Sequence, residues 1–373
     1  MKVLMIEHFL PDSIYTLELG RELKNYCDLS IFCKKNVKVQ ESKIQWFPEF
    51  YPGGKNKASA MMDYGASLLH VAETIRKGKF DIVHVQTLKK AKFEMELYYR
   101  LRKYFKKFVY TVHNVLPHET DPGDRELYHK FYEFCDELIV HNDSSKKCLV
   151  ENFSVPEEKI SVIAHGAYQT HTPIQKVRDD SSVTRFLQFG YIRKYKGIDI
   201  LLDAIALIPP EKRKNLHFTI AGKHYPKLDD TDYKGKIRDL GIEDHISFYT
   251  EHIPDEKLPE LFCDADFVLF PYRNIYGSGA LLMAYTYEKP VIASDIPTFC
   301  EETDHGGTGI LFESENPRAL ADAILAAARC SPKQKEEYRS VIRALTSEKY
   351  NWKKSAAKLA EVYQTLLEGG ERF

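Results

Sequence analysis

FPYRNIYGSGALLMAYTYEKPVIASD (270–295) is the stretch that decides the fold. It continues an apolar run, FVLFP (267–271), that reads as a strand. A polar loop follows, GSGALLMAY opens a helix, and PVIAS (290–294) is a second strand. A strand, a crossover helix and a strand within roughly thirty residues make a βαβ unit, the element of a parallel sheet covered by helices on both faces. Ser278 suits the cap of that helix. Gly277 and Gly279 remove side chains where a backbone approaches a ligand, and the free N–H groups of a helix start attract anions. A plain capped helix with glycines for turning has the same letters.

The alternation extends in both directions. TRFLQFG (184–190), LHFTIAG (216–222), ISFYT (246–250) and GILF (309–312) read as further strands, with GIDILLDAIALI (197–208) as a helix. Before them, KVLMI (2–6), DIVHVQ (81–86), FVYTVHN (108–114), ELIVHN (137–142) and ISVIAHG (160–166) alternate with helical-period segments such as 58–78. Between the two series, 167–183 is polar and aperiodic and reads as a linker. The end of the chain is helical, headed by Trp352, and is expected to pack back on the first unit. The expected domains are therefore residues 1–170 plus 351–373, and 184–350. Ligands of open parallel sheets bind beyond the carboxyl ends of the strands, so a cleft between two such units is the expected site.

Composition narrows the function. Lys plus Arg is 53 and Asp plus Glu is 54, a formal charge of −1, which does not suit bulk nucleic-acid binding. No apolar run reaches the ~18 residues of a membrane span, and the broken run at 2–6 lacks the features of a signal peptide, so a cytoplasmic protein is expected. Seven scattered cysteines without a C-x-x-C pair read as reduced thiols, and no metal site is expected. The dinucleotide fingerprint, the P-loop, G-x-S-x-G and H-E-x-x-H are all absent.

FGYIRKYKGIDILLDA (189–204) sets Arg193 and Lys196 between a strand end and a helix start. An arginine fork and a lysine point charge there suit a diphosphate. A solvated basic loop, with Lys194 as a third cation, is the alternative.

With these pieces in hand, the chain resembles the family 4 glycosyltransferases, which have the GT-B fold of two facing Rossmann-like domains with a deep interdomain cleft. The resemblance rests on FLQFGYIRKYKGIDILLDAI, HFTIAGK, ISFYTEHIPDEKLPELFCDADFVLFPY, GSGALLMAYTYEKPVIASD and GTGILFESENPRALADAI in the second half. DIVHVQ, YTVHNVLPHE, DELIVHNDSSKKCL and KISVIAHGAY carry it in the first. Together they cover nearly the whole chain, in order. The family's pair of glutamates is missing: Ile275 and Met283 stand near those places, leaving Ser278 as a candidate for the ribose. Tyr191 replaces an arginine after the strand-end glycine, a role Arg193 can take. EHFLPDS stands where a Gly-Gly loop is usual, and Gly53-Gly54 comes only later. A subset of the family shares the Ser-Gly helix start.

The resemblance implies transfer of a hexose-type sugar from a nucleotide donor, a UDP-sugar or GDP-sugar, with retention and without a metal or other cofactor. It implies that Arg193, Lys196, Ser278, Gly279 and Ala280 hold the diphosphate. His113, Asn114, His118, Tyr276 and Gly277 are assigned to the sugar or acceptor, with His113, Arg193 and Lys196 as the catalytic set. Lys223, Thr250, His252 and Ile253 are assigned to the base. The acceptor is expected to be a glycan or a lipid-linked sugar. Residues 89–107 hold eight Lys or Arg against two Glu, interleaved with Phe93, Tyr98, Tyr99, Tyr104 and Phe105. That segment suits peripheral contact with an anionic membrane, or equally a solvated helix with its aromatics turned inward. A sugar-nucleotide epimerase and a non-catalytic sugar-nucleotide binder are the competing readings.

Overall fold

The computed structural model describes residues 1–10, 14–35, 41–51, 56–117, 121–169 and 182–369. The chain divides into two compact units, Met1–Gly166 with Tyr350–Phe373, and Ala167–Lys349.

The first unit is built on strands β1 (Lys2–Ile6), β2 (Asp28–Lys34), β3 (Ile44–Phe50), β4 (Ile82–Val85), β5 (Lys107–Thr111), β6 (Glu137–Val140) and β7 (Ile160–Val162). They form one sheet in the order β3-β2-β1-β4-β5-β6-β7, every pairing parallel. The central strands are mostly apolar because helices cover both faces: Val3 to Ile6 and Val83 have no exposure. Sequence reading missed β2 and β3. The expected linker lies mostly at 170–181, outside the described residues.

The final helix, Trp352–Glu368, belongs to this unit. Asn351 caps it by accepting from the N–H groups of Lys353 and Lys354. Its buried face packs on the helix Tyr15–Leu23: Trp352, Leu359 and Tyr363 share one core with Tyr15, Leu19 and Leu23.

The second unit comprises β8 (Thr184–Phe189), β9 (Leu216–Ala221), β10 (Ile246–Tyr249), β11 (Phe267–Phe270), β12 (Val291–Ser294) and β13 (Gly309–Phe312), a parallel sheet in the order β10-β9-β8-β11-β12-β13. In each sheet the chain runs outward from a central strand on both sides. The order reverses between β1 and β4 in the first unit and between β8 and β11 in the second. The carboxyl ends of those strand pairs are the ligand positions of such sheets.

Among the described residues no helix is long and apolar enough to cross a membrane. The cysteines are all free. In the basic segment, Tyr98 and Phe105 are buried while Phe93 stands 58% exposed, so the aromatics divide between core and surface.

Candidate active site

In the second unit β8 ends at Phe189, and the chain turns at Gly190 with φ +112. That left-handed conformation favours glycine, and a Cβ there would stand 2.5 Å from the Lys196 Nζ. Arg193 leads into a short turn, Lys194–Lys196, and Gly197 passes the chain into the helix Ile198–Leu207. Arg193 is half-buried, whereas Lys196 is only 6% exposed. The Lys196 ammonium lies 5.1 Å from the centre of the Tyr272 ring and makes no ion pair or hydrogen bond among the described residues. Burial, and then the nearby Arg193 guanidinium, push its pKa down to about 7. A buried ammonium without an anion is costly, and the chemistry that relieves it is a negatively charged ligand.

The second element of this half follows β11. Ser278 is buried and caps the helix Gly279–Thr286, its Oγ accepting from the Leu281 N–H at 3.2 Å. The first N–H groups of that helix have no carbonyl of their own turn to meet. Ala280 comes within 4.0 Å of the position of a Cβ on Gly190, which brings the helix start and the Arg193–Lys196 turn together at the β8/β11 reversal.

Sequence reading missed two residues here. Arg273 forms a two-pronged bridge to Asp199 at 2.7 and 3.0 Å, donates to the Lys194 carbonyl at 2.8 Å and reaches Glu315 at 3.0 Å. It staples the loop after β11 to the cationic turn. Tyr168, read as linker, accepts from the Thr286 hydroxyl through its carbonyl and sets its own hydroxyl 2.7 Å from where a Cβ on Gly279 would stand. Tyr276 and Gly277 are half-buried on the loop leading to Ser278. Farther along the sheet edge, the Lys223 carbonyl accepts from Ile192 N–H and the Thr250 carbonyl from His224 N–H. This ladder brings Lys223 and Thr250 into neighbouring loops, with exposed His252 and half-buried Ile253 just beyond.

The corresponding strand ends of the first unit carry histidines. Register explains their meeting. β5 pairs with β6 at an offset of 28 residues, Thr111 with Ile139, and the same offset sets His113 beside His141. His141 Nε2 and His113 Nδ1 are 3.2 Å apart, and His141 Nδ1 lies 3.0 Å from the Ile163 carbonyl. His165 joins them, its ring 5.6 Å from that of His141, and Tyr15 packs centrally at 4.9 Å from both His113 and His165. Trp352 closes the group at 5.3 Å from Tyr15. Burial, then the neighbouring imidazoles, hold His113 well below the usual imidazole range. Burial pushes His141 down to about 4 and His165 to about 3, so all three rings are neutral at pH 7. No set of three His, Cys, Asp or Glu among the described residues is arranged to hold a metal ion. Asn114 is half-buried beside His113, and His118 and Glu119 lie outside the described residues.

The described part of EHFLPDS, residues 7–10, has its own hydrogen bonds. Glu7 is fully buried and accepts from the Phe9 N–H and the Thr16 and Thr87 hydroxyls; burial raises its pKa. His8 meets buried Glu94 at 2.6 Å. These contacts lock the loops after β1 and β4 to each other and to the helix Ala91–Leu101.

Known proteins resemble the chain in sequence and in fold. Residues 172–344 match the family model "Glycosyl transferases group 1", and residues 13–167 match "Glycosyltransferase Family 4". The chain is 26% identical over 229 residues to a GDP-mannose:glycolipid 4-beta-D-mannosyltransferase of Xanthomonas campestris pv. campestris, covering 60% of this chain and 61% of that one. It is 26% identical over 201 residues to a D-inositol 3-phosphate glycosyltransferase of Corynebacterium glutamicum (strain R), covering 51% and 48%. The chain thus spans about three-fifths and about half of the length of these relatives. Among solved structures, Anabaena Alr3699/HepE in complex with UDP and glucose is similar at a TM-score of 0.73 and 18% identity, covering 98% of this chain and 100% of that one.

Proposed function

The chain has the GT-B fold and is family 4-like along both of its units, and on that premise we propose that it transfers a hexose-type sugar from a nucleoside-diphosphate sugar to a glycan or lipid-linked acceptor. One observation carries this reading: Lys196, a buried ammonium without an anionic partner among the described residues, beside a capped helix start at the β8/β11 reversal. When the bond from the anomeric carbon to the β-phosphate oxygen breaks, negative charge grows on that phosphate. In this account Arg193, Lys196 and the N–H groups of Ser278, Gly279 and Ala280 take up the charge, each contact being worth about 10²–10³ in rate. Such a grip does the work of a divalent metal. Lys223, Thr250, His252 and Ile253 are assigned to the base, and Tyr276, Gly277, His113 and Asn114 to the sugar and acceptor.

Retention is proposed, with the leaving phosphate taking the acceptor's proton. Inversion is the second reading. It is favoured by the name of the Xanthomonas relative, a 4-beta-transferase, since a β product from an α-linked donor requires inversion. The test is incubation with a panel of α-linked UDP- and GDP-hexoses and glycan or lipid-linked acceptors, with and without EDTA, and the product anomer read by NMR. An α product formed at an EDTA-insensitive rate is expected. A β product replaces retention by inversion, and binding of no nucleotide sugar removes both.

A lipid-linked acceptor also gives the surface of the first unit a role. Lys89, Lys90, Lys92 and Phe93 are exposed at the start of the helix Ala91–Leu101. Lys89 Nζ lies 5.8 Å from the Tyr64 ring on the helix Lys57–Gly78, which exposes Met61 and Met62 one turn earlier. Cations around exposed apolar side chains suit an anionic bilayer, at about 1 kcal/mol per cation near its surface. Co-sedimentation with phosphatidylglycerol vesicles is expected, with little on phosphatidylcholine. Replacing Lys89, Lys90 and Lys92 by Glu is expected to weaken it at least ~100-fold. Equal binding of both vesicle types contradicts this role.

A further inference from the structure

The hydrogen bonds of the first unit fix where a proton sits. The Ile163 carbonyl can only accept, so the His141 Nδ1 facing it at 3.0 Å carries the hydrogen. His141 is neutral, which leaves its Nε2 as a lone pair. That lone pair faces His113 Nδ1 at 3.2 Å, so the His113 Nδ1 must donate. His113 is neutral as well, and its single proton is thereby used. Its Nε2 is a bare acceptor, out of contact with solvent and with no hydrogen-bond partner among the described residues. An acceptor in that state calls for a ligand that brings an O–H.

We propose that His141 is a positioning residue that sets the tautomer of His113, so that His113 Nε2 accepts a hydrogen bond from a sugar hydroxyl. The proposal rests on the reading of His113 given above. The device is a relay of fixed polarity, from the Ile163 carbonyl through His141 to His113. It is built by strand register, because the β6/β7 offset of 22 residues, Ile139 with Ser161, also sets His141 level with Ile163. The contact selects for a donating group: a hydroxyl fits, while an ether or a methyl ester at that point leaves the lone pair unmatched.

Two variants test it in the full chain. His141→Phe keeps the ring packing against Tyr15 but removes the acceptor for His113 Nδ1. His141→Gln keeps an acceptor oxygen. In ¹⁵N-histidine-labelled wild-type protein, two-bond ¹H–¹⁵N spectra are expected to show His113 protonated on Nδ1 and bare on Nε2. In H141F the proton is expected on Nε2, with kcat/KM down about 100-fold, the scale of a lost catalytic hydrogen-bonding group. H141Q is expected to keep the wild-type tautomer and a rate within about fivefold, the cost of an imperfectly aligned neutral hydrogen bond. Binding of the nucleoside diphosphate alone stays as in wild type for both. A wild-type His113 protonated on Nε2, or an unchanged tautomer in H141F, overturns the relay. A proton that moves in H141F without loss of rate overturns the hydroxyl contact, and with it the role of His113 in transfer, while the relay itself stands.

Discussion

Lys196→Met is expected to cut the proposed sugar transfer sharply and at the same time to raise the melting temperature of the free protein. The two effects have one cause. The Lys196 ammonium is 6% exposed, its closest charged influence is another cation, Arg193, and its pKa is pushed down to about 7. A folded pKa below the unfolded value means that the unfolded chain binds more protons between pH 7 and about 10.5, so stability rises with pH across that window. Below pH 7 the folded protein carries the full cost of a buried, uncompensated charge. Methionine has similar length and no charge, so it removes that cost. A gain on the order of 2 kcal/mol corresponds to about 5 °C in a domain of this size, largest at low pH. Transfer falls about 10³-fold through the lost phosphate contact. The lysine also sets a pH dependence of binding. Phosphate favours its protonated form, so the affinity of wild type for a nucleoside diphosphate falls as pH rises above 7, by up to about tenfold per unit, and K196M lacks this slope. Calorimetric scans and titrations at pH 6, 7, 8 and 9 check each part. A K196M protein that melts lower and turns over normally contradicts the assignment.

Gly197→Ala has the largest expected cost to the fold. Gly197 has φ +65, and a Cβ built on it would stand 1.8 Å from the Pro271 carbonyl oxygen. Both partners are backbone, one at a helix start and the other just beyond β11, so no side-chain rotation relieves the clash. Left-handed strain of about 1 kcal/mol adds to it. Destabilisation on the order of 3–5 kcal/mol is expected, the range of severe single substitutions. Transfer is lost with it, since Gly197 directly follows Lys196. Gly65→Ala is the control: it lies at an exposed position of the helix Lys57–Gly78 with nothing within 4 Å of the new Cβ. It is expected to stabilise by up to about 1 kcal/mol through helix propensity. Urea unfolding of both variants beside wild type gives the comparison, and similar midpoints for the two contradict it.

These residues also show what a sequence discloses. The placement of Arg193, Lys196 and Ser278 was legible because each sits on a single strand–loop–helix connection, where local spacing decides geometry. The parallel sheets were legible for the same reason. β2 and β3 were not. β3, IQWFPEF, holds Pro48 and is buried only at its two ends, Ile44 and Phe50; it lies at the sheet edge, where a missing N–H is tolerated, and it lacks the continuous apolar run of a central strand. The long-range parts of the site were hidden more deeply. His113 and His141 are 28 residues apart and meet only through the β5/β6 register, and Arg273 reaches Asp199 across 74 residues. Nothing in the local letters around His141 or Arg273 announces those partners. Tyr168 was hidden by its setting, an aromatic at the head of a polar stretch that reads as a linker.

We propose that the turn at Arg193–Lys196 and the helix start at Ser278 grip a nucleotide sugar by its diphosphate. The most direct measurement is isothermal titration of UDP- and GDP-sugars into wild type and K196M at pH 7. Binding of at least one nucleotide sugar by wild type, weakened about 100-fold or more in K196M, is the predicted result for a lost charge-assisted contact. Equal binding by both proteins, or binding by neither, contradicts it.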